Sequence, residues 1–297
     1  MKRILTPLIF GALFALSSVT AFAIIDGQDA PRTLYMARLA VNGSVCGAAL
    51  IDPQWALSAA HCIDPHINGL PVTSTLADIA PHTKIRIGEY DTSRQEDHER
   101  WIAVTEIITF GYRYGDPGNH DIALIHLAET LTRTEFVDFV PLDTATPALE
   151  EPITIYGWGK QTTTPRRPIL QVGQTSVSRL YLLYFATQGG AHIGPGDSGG
   201  PAITQYNTLA GVSSSVSGTT SYYTAVAPYR QQIEETISAH SRPDQPAAAD
   251  LSDPCPPDAM SPCDHCVIEI QPGICLEFEP GHYSPIYLPI IYGEPAL

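Results

Sequence analysis

An all-β fold, either a sandwich or a pair of barrels, is what this sequence predicts, and three observations carry it. Short apolar or alternating runs recur from Ile24 to about Thr224, turn-forming residues separate them, and Pro (26) and Gly (23) are plentiful. No internal repeat of about 20–50 residues is visible. Of 297 residues, 44% are hydrophobic and 16% charged, which supplies a buried core and argues against a disordered chain. Sixteen basic side chains against thirty-one acidic ones leave a net charge of −15. That balance argues against nucleic-acid binding, which depends on neutralising phosphates, and disfavours adhesion to anionic membranes.

Taken in order, residues 1–23 read as an export signal. Lys2 and Arg3 precede an apolar run from Ile4 to about Leu16, and Ala21-Phe22-Ala23 has the small-x-small cleavage pattern. Pro7 interrupts the run, which falls short of the ~20 apolar residues of a membrane span. The expected protein is secreted or periplasmic, with no transmembrane segment once the signal is removed. Strand-like runs follow at 34–41, 55–60, 84–90, 101–110, 121–127, 153–158, 171–177 and 208–215. One helix closes the region: Pro228 suits a first helical position, and Tyr229, Ile233 and Ile237 fall on one stripe. Residues 241–254 read as a linker. Residues 255–297 form a small, acidic, cysteine-rich extension, and neither Lys nor Arg occurs after Arg242.

Three segments carry chemistry: Leu57-Ser58-Ala59-Ala60-His61-Cys62, Asn119-His120-Asp121-Ile122-Ala123-Leu124, and Gly194-Pro195-Gly196-Asp197-Ser198-Gly199-Gly200-Pro201. Each alone is bland. In this order they resemble the trypsin/chymotrypsin-like serine proteases, and Ile24-Ile25-Asp26-Gly27, Tyr156-Gly157-Trp158-Gly159 and Tyr222-Tyr223-Thr224-Ala225-Val226 extend the resemblance over residues 24–240. The resemblance implies two six-stranded antiparallel β-barrels with a C-terminal helix and the reactive groups at their junction.

It also implies roles. A serine hydroxyl is a poor nucleophile until a base takes its proton, and imidazole suits that task near neutral pH. His61 is the implied base, Asp121 the group that holds its tautomer, and Ser198 the nucleophile that becomes the acyl-enzyme. The N–H groups of Gly196 and Ser198 are the implied oxyanion donors, and Ser214 supports the buried aspartate. The terminal ammonium of Ile24, freed by signal cleavage, pairs with Asp197. The substrates so implied are proteins or peptides, cleaved without any cofactor. The alternative is a catalytically silent homologue that binds or adheres through its extension.

The pocket departs from the family pattern. Where trypsins carry an aspartate, this chain has His192, so a preference for Lys or Arg is not expected. With Ser214 and Ser215, the pocket suits either an acidic side chain or an aromatic or apolar one. Glu89, Glu96 and Glu99 fall at the spacing of the calcium-loop carboxylates in trypsins, which suggests a structural Ca²⁺ or else a solvated acidic loop. Cys46 and Cys62 match the family's disulfide beside the catalytic histidine. Cys255, Cys263, Cys266 and Cys275 stand apart in the extension, as two disulfides or as a zinc site at Cys263-Asp264-His265-Cys266. The partner of the extension is unknown.

Overall fold

The structure, a computed structural model, describes residues 24–113, 120–159 and 168–241 and the backbone of two short strands at 268–271 and 274–276. The expectations for the signal at 1–23, for Asn119, for the linker beyond Ser241 and for Cys255, Cys263 and Cys266 lie outside the described residues, as does the side chain of Cys275. The chain divides into two compact units between Arg242 and Pro243.

In the first unit β1 (Gln28–Asp29) is a short lead-in. The first barrel then comprises β2 (Met36–Val41), β3 (Ser44–Asp52), β4 (Trp55–Ser58), β5 (Thr83–Ile87), β6 (Arg100–Thr109) and β7 (Ala123–Leu127). They close in the order β2-β3-β4-β7-β6-β5, every pair antiparallel. Alternation explains why these segments are strands. In β5, Ile85 and Ile87 are buried while Lys84 is exposed, and in β6, Ile102 and Val104 are buried while Trp101 and Ala103 are exposed. Between β4 and β5 lie two one-turn helices, α1 (Pro65–Asn68) and α2 (Leu76–Ile79), the latter closed by a capping box between Thr75 and Asp78.

The second barrel comprises β8 (Pro152–Gly157), β9 (Gln171–Leu180), β10 (Tyr184–Gln188), β11 (Pro201–Thr204), β12 (Leu209–Ser217) and β13 (Thr220–Ala225). The order is β9-β10-β13-β12-β11-β8, closed by β8 pairing back on β9. β1 adds to the start of β9, with Gln28 opposite Val172. Ile24 is fully buried in this barrel's core beside Ile155, Val177, Phe185 and Tyr223, and burying such a side chain is worth about 1.5–3 kcal/mol. The final helix, α3 (Arg230–His240), follows a tight turn containing Pro228, with Tyr229 and Ile233 buried as the stripe predicts.

The predicted fold is therefore the observed one. β3, β10, β11 and β13 add to the eight strands read from hydropathy runs. β3 carries Gly47, Ala48 and Ala49, whose weak strand propensity masks it; burial against the barrel decides its state instead. The expected disulfide joins Cys46 in β3 to Cys62 in the turn after β4. Closing a loop of this separation is worth about 3 kcal/mol. In the second unit, β14 (Ile268–Gln271) and β15 (Ile274–Leu276) form an antiparallel pair.

The barrels meet through Leu170, whose N–H donates to Tyr90 O (2.9 Å) and whose carbonyl accepts from Ala30 N (2.8 Å). Trp158 Nε1 also donates to Tyr90 O at 3.1 Å, and the rings of Tyr35 and Tyr156 meet edge to face at 6.2 Å.

Candidate active site

β4 runs into the 3₁₀ turn Ala60–Ile63, which presents His61 next to the disulfide-bonded Cys62. Asp121 stands two residues before β7. Its Oδ1 accepts the His61 backbone N–H at 2.8 Å; its Oδ2 accepts from His61 Nδ1 at 2.8 Å and from Ser214 Oγ at 2.5 Å. A carboxylate only accepts, so Nδ1 carries the ring hydrogen and Nε2 keeps its lone pair. Burial pushes the Asp121 carboxyl up, but the hydrogen bond and charge of His61 and the Ser214 hydroxyl outweigh it, holding it below the ordinary 3.8.

The backbone around Asp121 is anchored from the second barrel. Thr224 Oγ1 donates to the Asp121 carbonyl at 2.9 Å. His120 adopts φ 58°, uncommon for a residue with a Cβ, and its Nδ1 lies 3.1 Å from the Tyr229 hydroxyl. Burial pushes that phenol up to about 12, so Tyr229 keeps its proton throughout the working pH range. Sequence reasoning gave Thr224 and Tyr229 no part in the site. Thr224 sat inside a quoted motif and Tyr229 on the helix stripe, and neither position announces a hydrogen bond to a distant strand.

Ser198 comes to the same junction on a loop held by glycines. Gly47 N donates to Ser198 O (2.7 Å), and Gly199 N donates to Ser213 O (2.8 Å). Gly199 adopts φ +79°, and a Cβ there would collide with Gly47 O and Ser58 Oγ and lie 3.2 Å from Ala59 N. The Ser198 loop is thus seated on the corner that carries His61. Among the described residues no hydrogen bond joins Ser198 Oγ to His61 Nε2. Such contacts are often long in a free enzyme and tighten around substrate. Gly196 has φ 96°, and neither its N–H nor that of Ser198 donates to a protein acceptor among the described residues.

Asp197 is fully buried, with Oδ1 accepting from Gly159 N at 2.7 Å and Oδ2 from Gly194 N at 2.8 Å. A Cβ at Gly157 or Gly159 would strike this carboxylate, which explains the Gly-Trp-Gly motif. Ile25 and His192 exchange backbone hydrogen bonds (2.9 and 3.0 Å), placing the chain after Ile24 beside the loop that leads to Ser198. His192 is 8% exposed, and its Nδ1 has no hydrogen-bond partner among the described residues. Ser214 is committed to Asp121, whereas Ser215 is exposed opposite Tyr222.

The three glutamates expected to hold Ca²⁺ instead meet arginines. Glu89 pairs with Arg38 at 2.7 Å and Arg86 at 3.5 Å, Glu99 with Arg86 at 2.5 Å, and Glu96 with Arg32 at 2.6 Å. Glu89 Oε2 and Glu99 Oε1 have no hydrogen-bond partner among the described residues. The charge is nevertheless balanced, because Arg32, Arg38 and Arg86 face three carboxylates. A divalent ion inserted here would bring two uncompensated positive charges beside half-buried guanidinium groups. The donor set does not fit calcium. The spacing of the three glutamates is right, but the arginines come from β2, β5 and the segment before β2, out of reach of a spacing argument.

The sequence model of the trypsin family matches residues 24–233. Trypsin I-P1 of Gallus gallus is 25% identical, the match covering 76% of this chain and 94% of that protein. Serine protease 1 of Canis lupus familiaris is 27% identical over 81% of this chain and all of its own length. Chymotrypsin-like elastase family member 1 of Macaca fascicularis is 26% identical over 73% and 90%.

Three outcomes are expected. Millimolar Ca²⁺ added to metal-free protein leaves the melting temperature unchanged, whereas Arg86→Met lowers stability by about 3 kcal/mol because it leaves the buried Glu99 carboxylate without its arginine, Glu89 keeping Arg38; thermal and urea unfolding check both. Asp121→Asn removes a depressed carboxylate, so the stability difference from wild type is complete above the ordinary carboxylate range. It shrinks as pH falls through the lowered value, read from urea unfolding across acidic pH.

Proposed function

This chain belongs to the trypsin family, and from that premise we propose that it is an exported serine endopeptidase working through His61, Asp121 and Ser198. The observation that carries the reading is the set of three hydrogen bonds on Asp121, which fixes His61 in the tautomer a general base requires. Ser198 Oγ attacks the scissile carbonyl carbon while His61 Nε2 takes its proton. Asp121 stabilises the imidazolium that forms, and the N–H groups of Gly196 and Ser198 meet the oxyanion, each typically worth about 10²–10³ in rate. The tetrahedral intermediate collapses, His61 gives its proton to the leaving amine, and an acyl ester remains on Ser198. Water then attacks that ester, passing a proton to His61, and the intermediate collapses to the acid as His61 returns that proton to Ser198 Oγ. None of these steps needs a cofactor.

Export and activation are one event in this reading. Signal cleavage before Ile24 frees an ammonium at a side chain already buried in the second barrel, and the buried Asp197 carboxylate supplies its counter-charge. At the pocket, the neutral or cationic imidazole of His192 replaces the carboxylate that selects Lys and Arg in trypsins, so substrates with other side chains are preferred.

Ser198→Ala abolishes peptide hydrolysis while leaving the fold intact, and an organophosphonate probe labels wild-type Ser198 alone; activity retained in the variant would overturn the assignment. Sequencing the exported protein yields Ile24 as its first residue, and a terminus upstream would require a second processing protease.

A further inference from the structure

Far from Ser198, a second cluster of metal-ligating side chains gathers on the first barrel. Glu106 on β6 and His126 on β7 stand directly opposite each other in the ladder, and His240 ends α3. One ligand atom from each lies within 4.8 Å of the other two. Two further groups of such side chains occur among the described residues. Cys46, His61 and Cys62 hold a disulfide and the catalytic base, and Glu96, His98 and Glu99 border the arginine cluster; neither offers a free donor set.

The third set is oriented for ligation. His240 Nδ1 lies 2.8 Å from Thr236 O, a carbonyl that can only accept, so Nδ1 donates there and Nε2 is the nitrogen turned outward to a partner. That Nε2 faces Glu106 Oε2 at 2.8 Å. A ligating imidazole whose other nitrogen donates to a backbone carbonyl is the usual way a protein aims such a ring. His126 Nδ1 lies 3.2 Å from the Thr105 hydroxyl. The buried Trp55 indole stacks on the His126 ring at 4.2 Å and meets the His240 ring edge-on at 5.0 Å, so both imidazoles rest on one rigid surface.

We propose that Glu106, His126 and His240 form a Zn²⁺-class transition-metal site, with water as the fourth ligand, that fastens the last turn of α3 to the first barrel. Two imidazoles and a carboxylate suit Zn²⁺, and also Ni²⁺ or Cu²⁺, but not Ca²⁺ or Mg²⁺, which take oxygen donors. Ligands about 2.0–2.1 Å from Zn²⁺ on a tetrahedron are about 3.3 Å apart. Donors that already lie within 4.8 Å close by at most about 1.5 Å, which side-chain rotation supplies. His240 is exposed, so the ion has an open entry path. Binding displaces the hydrogen now held between His240 and Glu106 and releases it to solvent. The site is remote from the triad, because His126 lies near the end of β7 opposite to that entered from Asp121, about 17 Å along an extended strand.

The test is calorimetric and thermal titration of the metal-free full-length protein with ZnCl₂, with CaCl₂ and MgCl₂ as controls. Zn²⁺ is expected to bind and, at about a hundredfold over its dissociation constant, to raise the melting temperature by about 5 °C; Ca²⁺ and Mg²⁺ do neither. His240→Ala, at an exposed helix end, weakens binding at least tenfold, and Glu106→Gln weakens it as well. Bound Co²⁺ shows four-coordinate d–d bands without thiolate charge transfer, which separates this cluster from the cysteines of the extension. His61→Ala leaves the thermal shift intact, which separates it from the triad. A melting temperature indifferent to Zn²⁺, binding undiminished in His240→Ala, or a thiolate band would each overturn the proposal.

Discussion

The Asp121 carboxylate is the group on which the rest of the site depends. It is charged and nearly out of solvent, so it persists only because every approach to it carries a donor: the His61 N–H, the His61 ring and the Ser214 hydroxyl. Two of those donors belong to the first barrel and one to the second, and Thr224 adds a second-barrel bond to the Asp121 carbonyl. The bonds that orient the imidazole are therefore also bonds that dock one barrel on the other. The orientation of His61 and the packing of the barrels share the same few atoms, and a change in barrel placement would turn the histidine.

A second buried carboxylate, Asp197, organises the Ser198 side of the site. Its oxygens take the N–H groups of Gly159 and Gly194, and glycines at 157 and 159 leave the room it occupies. The loop that follows is fixed by backbone bonds at Gly47, Gly199 and Ser213 and not by apolar packing. Glycine at 199 is required by sterics alone, since any side chain would enter Gly47 O and Ser58 Oγ. Precision at Ser198 therefore rests on small residues and hydrogen bonds, in contrast to the barrel interiors, where Trp55, Leu57, Phe185 and Tyr223 fill space.

Much of this was legible in the amino-acid order because it is local. Alternation along β5 and β6 reports which side faces a core, and His61, Asp121 and Ser198 each sit in a segment whose neighbours serve that residue. What stayed hidden is long-range. Thr224 and Tyr229 act on Asp121 and His120 across about a hundred residues of chain, beyond any spacing rule. Arg32, Arg38 and Arg86 supply from three separate segments the positive charge that a loop pattern assigned to an ion. β3 escaped because Gly47 and Ala48 are poor strand formers held in place by the barrel around them. The donor set of Glu106, His126 and His240 joins two adjacent strands to the end of a helix, and only folding brings it together.

The lone described disulfide lies wholly in the first barrel and its corner, and no cysteine occurs between Cys62 and Cys255. The barrel that bears Ser198 is thus without a disulfide of its own. That barrel lacks the restraint on its unfolded chain that the disulfide gives the first. Thiol reductants, conversely, act on the barrel that carries His61 and leave the scaffold of Ser198 untouched.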